Sequence, residues 1–165
     1  MRAPLLLAGL ALALAGCGLR PLYGGANSNV ASTLAGVEVA PIEGEAGWLV
    51  ANAVRDRLVG AGRATPNYRL QIVLDDEILG LGIRRDDKVT RERRTLRARY
   101  QLVDLANGAV LLDATAGSDA GIDVVSSEYA TIAAEKSALE RLSGQVAEQI
   151  VARVALFASR ADDPR

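Results

Sequence analysis

The sequence predicts a two-layer α+β sandwich, a mostly antiparallel four-stranded sheet with two helices on one face in the order β-α-β-β-β-α. Three observations predict it. Apolar residues alternate with polar ones from Tyr68 through Ala114, an apolar stripe at helical spacing runs through Val50, Val54 and Leu58, and a proline-free stretch after Ser127 repeats apolar residues every three to four positions.

Val37, Val39 and Ile42 give a short first strand that ends around Pro41. From Gly47 to Val59 the spacing becomes helical, with Arg55 and Asp56 off the apolar stripe and Gly60 and Gly62 as stop signals. Next, Tyr68, Leu70, Ile72 and Leu74 point one way and Arg69, Gln71, Val73 and Asp75 the other, the pattern of a strand with one buried face. A polar turn at Asp86-Asp87-Lys88 leads to a second alternating run, with Leu96, Ala98, Tyr100 and Leu102 apolar, so the two runs form a long hairpin. Ala106-Asn107-Gly108 is a tight-turn signal, and Val110, Leu112 and Ala114 continue the meander as a third strand. Gly80-Leu81-Gly82 has no helix after it and reads as a flattened or bulged strand segment, not a phosphate loop. Ser126-Ser127, with Glu128 in the first turn, begins a long amphipathic helix through Leu139, Leu142, Val146, Ile150, Val154 and Phe157. Trp48, at the start of the first helix, reads as a core or rim packing residue.

Before the domain, Leu14-Ala15-Gly16-Cys17 is a lipobox. A single positive charge at Arg2 and an apolar stretch from Leu5 to Leu14 precede it, too short to span a bilayer. Cleavage before a cysteine marks lipoprotein processing, so Cys17, the only cysteine, is expected to become the mature N-terminus and to carry the acyl chains. Several chains anchor durably, each buried CH2 contributing about 0.8 kcal/mol. The expected organisation is a signal peptide over 1–16, a lipidated N-terminus and flexible tether over 17–35 that includes Gly24-Gly25-Ala26-Asn27-Ser28-Asn29, one domain over 36–158, and a polar tail over 159–165.

Composition narrows the chemistry. The chain has 19 basic and 20 acidic residues and no histidine, and acylation of Cys17 removes its thiol. The usual general base, the commonest metal ligand and the nucleophilic thiol are therefore missing together, so no catalytic residue, cofactor or metal site is assigned. Asp75, Asp76 and Glu77 have no nucleophile or ligand cluster beside them in the sequence pattern.

Charge distribution is more informative than net charge. Arg84, Arg85, Lys88, Arg91, Arg93, Arg94, Arg97 and Arg99 crowd one hairpin against Asp86, Asp87 and Glu92. If the apolar faces of its strands align, Asp75 and Glu77 lie opposite Thr95, Arg97 and Arg99, an arrangement for cross-strand charge pairing. Nearer the tip the same geometry sets Leu79, Leu81 and Ile83 beside Arg91 and Arg93, with Arg84, Arg85 and Lys88 at the end and no acid on that face. Guanidinium groups beside exposed aliphatic chains suit a ligand that joins phosphates to acyl chains. A bulge near Asp75-Asp76-Glu77 would instead return Leu79 and Leu81 to the core and leave a solvated hairpin, and the pattern leaves both arrangements open. Nucleic acid is a poor partner because no aromatic residue is interleaved among the arginines and the chain as a whole is not basic.

The segment Cys17-Gly18-Leu19-Arg20-Pro21-Leu22-Tyr23-Gly24 behind a lipobox, this order of elements, and a final Ala-rich helix opening Ser126-Ser127-Glu128-Tyr129-Ala130 resemble the LptE family, lipopolysaccharide-assembly lipoproteins of Gram-negative bacteria, in its alphaproteobacterial form. The resemblance implies a non-enzymatic, outer-membrane, lipid-anchored subunit that sits inside the β-barrel LptD, helps it assemble, and binds lipopolysaccharide, with its domain facing the periplasm or the barrel lumen. Cys17 alone is carried over as a functional residue, and Gly18 is not the aspartate that retains lipoproteins in the inner membrane. The candidate lipopolysaccharide contacts Arg84, Arg85, Lys88, Arg91 and Arg93 rest on the hairpin's charge pattern. An auxiliary lipoprotein of an ABC-type lipid transporter is the alternative, and a periplasmic hydrolase is set back by the missing histidine.

Overall fold

The structure, a computed structural model, describes residues 29–62, 64–83 and 89–161. The elements are α1 (Asn29–Ala35), β1 (Val37–Val39), α2 (Gly44–Val59), β2 (Tyr68–Ile83), β3 (Val89–Asp104), β4 (Val110–Asp123) and α3 (Glu128–Ala161). The strands lie in the order β1-β2-β3-β4. β1 runs parallel to β2 and the other pairs are antiparallel, so the predicted two-layer α+β architecture holds with a mixed sheet.

Alternation decides which face is covered. Leu70, Ile72, Leu96, Ala98, Tyr100 and Leu102 are buried, and the register sets Leu70 against Leu102 and Ile72 against Tyr100 on one side of the hairpin. The helices close that side. Val50, Val54 and Leu58 of α2 and Leu139, Leu142, Val146, Ile150 and Val154 of α3 join the same core. α2 stops where its sequence has glycine: Gly62 adopts φ 102°, and its N–H donates to the Val59 carbonyl. α3 begins at the expected cap, the Ser127 carbonyl accepting from Thr131 N–H at 3.2 Å. In the β3–β4 turn Gly108 takes φ 73°, and the side chains of Asp104 and Asn107 accept from Ala106 and Ala109 N–H at 2.8 Å each.

Three expectations are corrected here. Residues 29–35, assigned to the tether, form α1, which packs on α3 and places Val30 and Leu34 in the core. The domain thus begins before residue 36, and among the described residues the helical layer has three members, not two. Burial of two apolar side chains one turn apart overrides a polar local composition. At the other end α3 continues through Arg160 to Ala161, past the predicted limit at 158. Trp48 is 64% exposed, not a core residue, because it lies off the Val50-Val54-Leu58 stripe. The signal peptide, Cys17, residues 17–28 of the tether, the turn at Asp86-Asp87-Lys88 and residues 162–165 lie outside the described residues.

The two free edges of the sheet differ. On β4, the Gln149 side chain of α3 occupies the place of a neighbouring strand: its Nε2 donates to the Gly117 carbonyl at 3.2 Å and its Oε1 accepts from Gly117 N–H at 3.1 Å. One turn away, Ser118 Oγ donates to Gln145 Oε1 at 2.7 Å. β1, by contrast, covers only Tyr68 to Leu70 of β2.

Candidate functional site

The odd-numbered residues of β2, β3 and β4 form the sheet face away from the helices. Its register is the expected one: Leu79 opposes Arg93, Leu81 opposes Arg91, Asp75 opposes Arg97 and Glu77 opposes Thr95. Pairing of β2 with β3 runs without a shift through Asp75-Asp76-Glu77 and Gly80-Leu81, so the bulge reading is excluded and the segment is regular strand; among the described residues the meander's register shifts between Leu102 and Val103 against β4. Leu79 is 46% and Leu81 38% exposed. Exposed leucines beside arginines are therefore what this face presents.

The ion pairs differ from expectation. Arg97 and Arg99 turn from the β2 acids toward β4, where Arg97 Nη2 meets Asp119 Oδ1 at 3.3 Å and Arg99 Nη2 meets Asp113 Oδ2 at 2.9 Å. Glycine makes room for the first of these. A Cβ on Gly117 would stand 2.5 Å from Arg97 Cδ, so the arginine lies across the bare backbone of β4. Asp75 and Glu77 make no ion pair among the described residues. Arg99, then the Gln101 amide, hold the Asp113 carboxyl down at about 2. Asp119 is also held below its ordinary value, first by the donating Thr95 hydroxyl and then by Arg97 and Arg93.

At the tip the expectation that no acid faces the arginines is corrected by β4, whose Asp123 Oδ1 lies 3.2 Å from Arg91 Nε. These two side chains are 70% and 78% exposed, and water screens such a pair to about 0–1 kcal/mol. Arg93 makes no ion pair among the described residues. Between them a shallow hollow of about 340 Å³ is lined by Leu81, Arg91, Arg93, Asp119 and Gly121. The sequence-predicted residues Arg91 and Arg93 thus come together with Leu79 and Leu81. Arg84, Arg85 and Lys88 lie outside the described residues.

A second cluster escaped the sequence reading. Arg94 points to the helix side, donating from Nε and Nη2 to Asp76 at 2.8 and 2.6 Å and from Nη1 to the Glu135 carbonyl of α3 at 3.0 Å. Beside it, Glu92 titrates above its usual range, chiefly through burial and then through the Glu135 carboxylate, and its Oε2 is buried without a hydrogen-bond partner among the described residues. The signal was present in the alternation: Asp76, Glu92 and Arg94 are even-numbered, on the face that also carries the buried Leu70, Ile72, Leu96, Ala98, Tyr100 and Leu102. The cluster ties the hairpin to α3 and withdraws Arg94 from the outer face.

Among the described residues no helix is long and apolar enough to cross a membrane. A mixed sheet backed by helices, whose outer face carries arginines and acids among exposed leucines, makes a small α+β domain. A Caulobacter crescentus protein shares the fold at TM-score 0.67 and 24% identity, covering 82% of this chain and 99% of its own. Rare lipoprotein B from Shewanella oneidensis does so at TM-score 0.62 and 12% identity over 77% and 97%. A minor lipoprotein from Acinetobacter baumannii follows at 0.58 and 15% over 73% and 88%. No curated protein matches the chain. The LptE family model, described as lipopolysaccharide-assembly, matches residues 34–154, and the chain belongs to that family.

Proposed function

We propose that this chain is the lipid-anchored subunit of an outer-membrane lipopolysaccharide translocon, held at the membrane by acylated Cys17, plugging and helping to assemble an LptD-like β-barrel, and binding lipopolysaccharide without catalysing a reaction. Family membership supports the assembly role. The observation that supports lipid binding is Arg93, which makes no ion pair among the described residues and only feels the charge of Asp119, beside the exposed, weakly paired Arg91, with Leu79 and Leu81 directly across the ladder. Lipid A phosphates would meet the arginines, with Arg84, Arg85 and Lys88 adding charge at the hairpin end, while acyl chain or barrel wall covers the leucines. Each surviving phosphate contact contributes about 1.5–3 kcal/mol, as for hydrogen bonds to charged groups.

The test is binding of purified lipopolysaccharide to Arg91→Glu with Arg93→Glu, which should weaken at least tenfold while the domain stays folded. Replacing Arg97 and Arg99, held by Asp119 and Asp113, should lower thermal stability more than lipid binding. Equal behaviour of the two pairs would sink the assignment. Mass spectrometry of the N-terminus checks the anchor on Cys17, and co-migration with one large barrel after gentle extraction checks the partner.

A further inference from the structure

β2 is a 16-residue strand with a three-residue neighbour. The direction of its backbone groups follows from two contacts with the β1 side: Tyr68 N–H donates to the Gly36 carbonyl at 3.1 Å, and the Leu70 carbonyl accepts from Ala40 N–H at 3.0 Å. Backbone polar groups of an extended strand alternate sides, so those of Ile72, Leu74, Asp76, Ile78 and Gly80 point to this same edge, beyond the point where β1 ends. No hydrogen bond among the described residues closes them. They form an open edge about 30 Å long at about 3.4 Å per residue.

Natural sheets guard such edges with bulges, prolines, lysines or covering elements. β4 has its Gln149 cover, whereas this part of β2 has an unbroken register and no proline or lysine. What flanks it is acidic. Asp75 and Glu77 are exposed on the outer face, and the arginines that could have neutralised them lean to β4 instead. Val73 and Leu79, both exposed, bracket the two acids.

We infer that the edge of β2 from Ile72 to Gly80 accepts an extended segment of a partner polypeptide as an added strand, with basic side chains at the two positions beside Asp75 and Glu77 and apolar ones beside Val73 and Leu79. Backbone pairing supplies the affinity and the alternating side chains the selection. Charge favours such a segment over a second copy of this chain: the antiparallel self-pairing that covers the whole edge is centred on Asp76 and stacks Asp75, Asp76 and Glu77 against the same three acids, a destabilising arrangement. The inference goes beyond lipid binding, which uses the outer face nearer the hairpin end.

The experiment uses the full chain in detergent micelles and a nine-residue peptide of alternating threonine with valine, lysine, lysine and valine at its even positions. Amide exchange at Ile72, Leu74, Asp76 and Ile78 should slow at least tenfold at saturating peptide. Exchange at Val73, Asp75 and Glu77, which face β3, should stay the same. Asp75→Lys with Glu77→Lys should weaken binding at least tenfold, and so should Ile78→Pro, which removes an edge-facing donor at a half-exposed position while leaving the β3 ladder its bonds. Undiminished binding by a peptide N-methylated on its pairing amides would overturn strand addition. Equal binding by a peptide with glutamate in place of lysine would overturn the charge selection. Protection of the same amides in a peptide-free dimer would show that a second copy is the occupant.

Discussion

Arg94 holds Asp76 by two parallel bonds, Nε to Oδ1 at 2.8 Å and Nη2 to Oδ2 at 2.6 Å, with the two side chains only 13% and 22% exposed. The pair sits on the helix side of the sheet, not on its outer face. Because the third guanidinium contact is the Glu135 carbonyl, one side chain links β2, β3 and α3.

Asp76→Asn should therefore lower unfolding free energy by about 1–3 kcal/mol, since it leaves a largely buried guanidinium with weakened acceptors. Replacing both partners, Asp76→Leu with Arg94→Met, should recover much of that loss. Urea denaturation of Asp76→Leu, Arg94→Met and the double variant measures it. Additive single losses would show that the pair carries no coupling.

Glu92 gives a pH dependence of defined sign. Its folded-state pKa is raised above the ordinary 4.5, first by burial and then by the Glu135 carboxylate. The folded protein then binds its proton more tightly than the unfolded chain, and stability from this group is full below about 4.5 and lost as pH rises through the folded value. Glu92→Gln, whose amide can donate to Glu135, should melt at a higher temperature than the parent at pH 7, with the difference vanishing near pH 4. Parallel melting profiles across that range would refute the coupling.

The N-terminal helix α1 is a working part of the core. Leu34 is 1% exposed, so Leu34→Ala should cost about 2–5 kcal/mol, the range for a buried leucine. Thermal unfolding decides it. A loss below about 0.5 kcal/mol, typical of an exposed site, would return residues 29–35 to the tether.

Two helical glycines should respond oppositely to alanine. A Cβ at Gly47 of α2 would fall 2.7 Å from the Ile42 carbonyl oxygen, so overpacking of about 1–3 kcal/mol outweighs the gain in helix propensity and the variant is destabilised. At Gly144 of α3 the nearest atom outside the helix backbone would be Arg57 Nη2 at 3.9 Å, an ordinary contact, and Gly144→Ala should stabilise by about 0.5–1 kcal/mol. Denaturant midpoints of the two variants test the opposite signs.

Period decided what could be read in advance. Leu70, Ile72, Tyr100 and Leu102, or Leu139 through Val154, repeat their burial often enough for the strand and helix periods to show. α1 has only Val30 and Leu34, one turn apart, after a run of glycine and asparagine that reads as linker, and it is α3, with a smaller contribution from α2, packed against them that makes them core. At the candidate site, alternation placed Leu79 and Leu81 beside the tip arginines because register follows from the pleat. The partners of Arg91, Arg97 and Arg99 were hidden because a long side chain can lean to either neighbouring strand. Here the choice was made for Arg97 by the absent side chain of Gly117, and for all three by acids on β4, far along the chain.

The Gln149 amide on Gly117 gives the sheet a direction of growth. A polypeptide strand laid along β4 would collide with that amide at the middle of the ladder, so among the described residues the sheet is terminated there and its long open edge lies on the side of β2 that β1 leaves bare. A domain with one receptive side has a valency of one. It can take up a single strand and cannot hand the pairing on to a second, so an acceptor edge can stay exposed without seeding polymers.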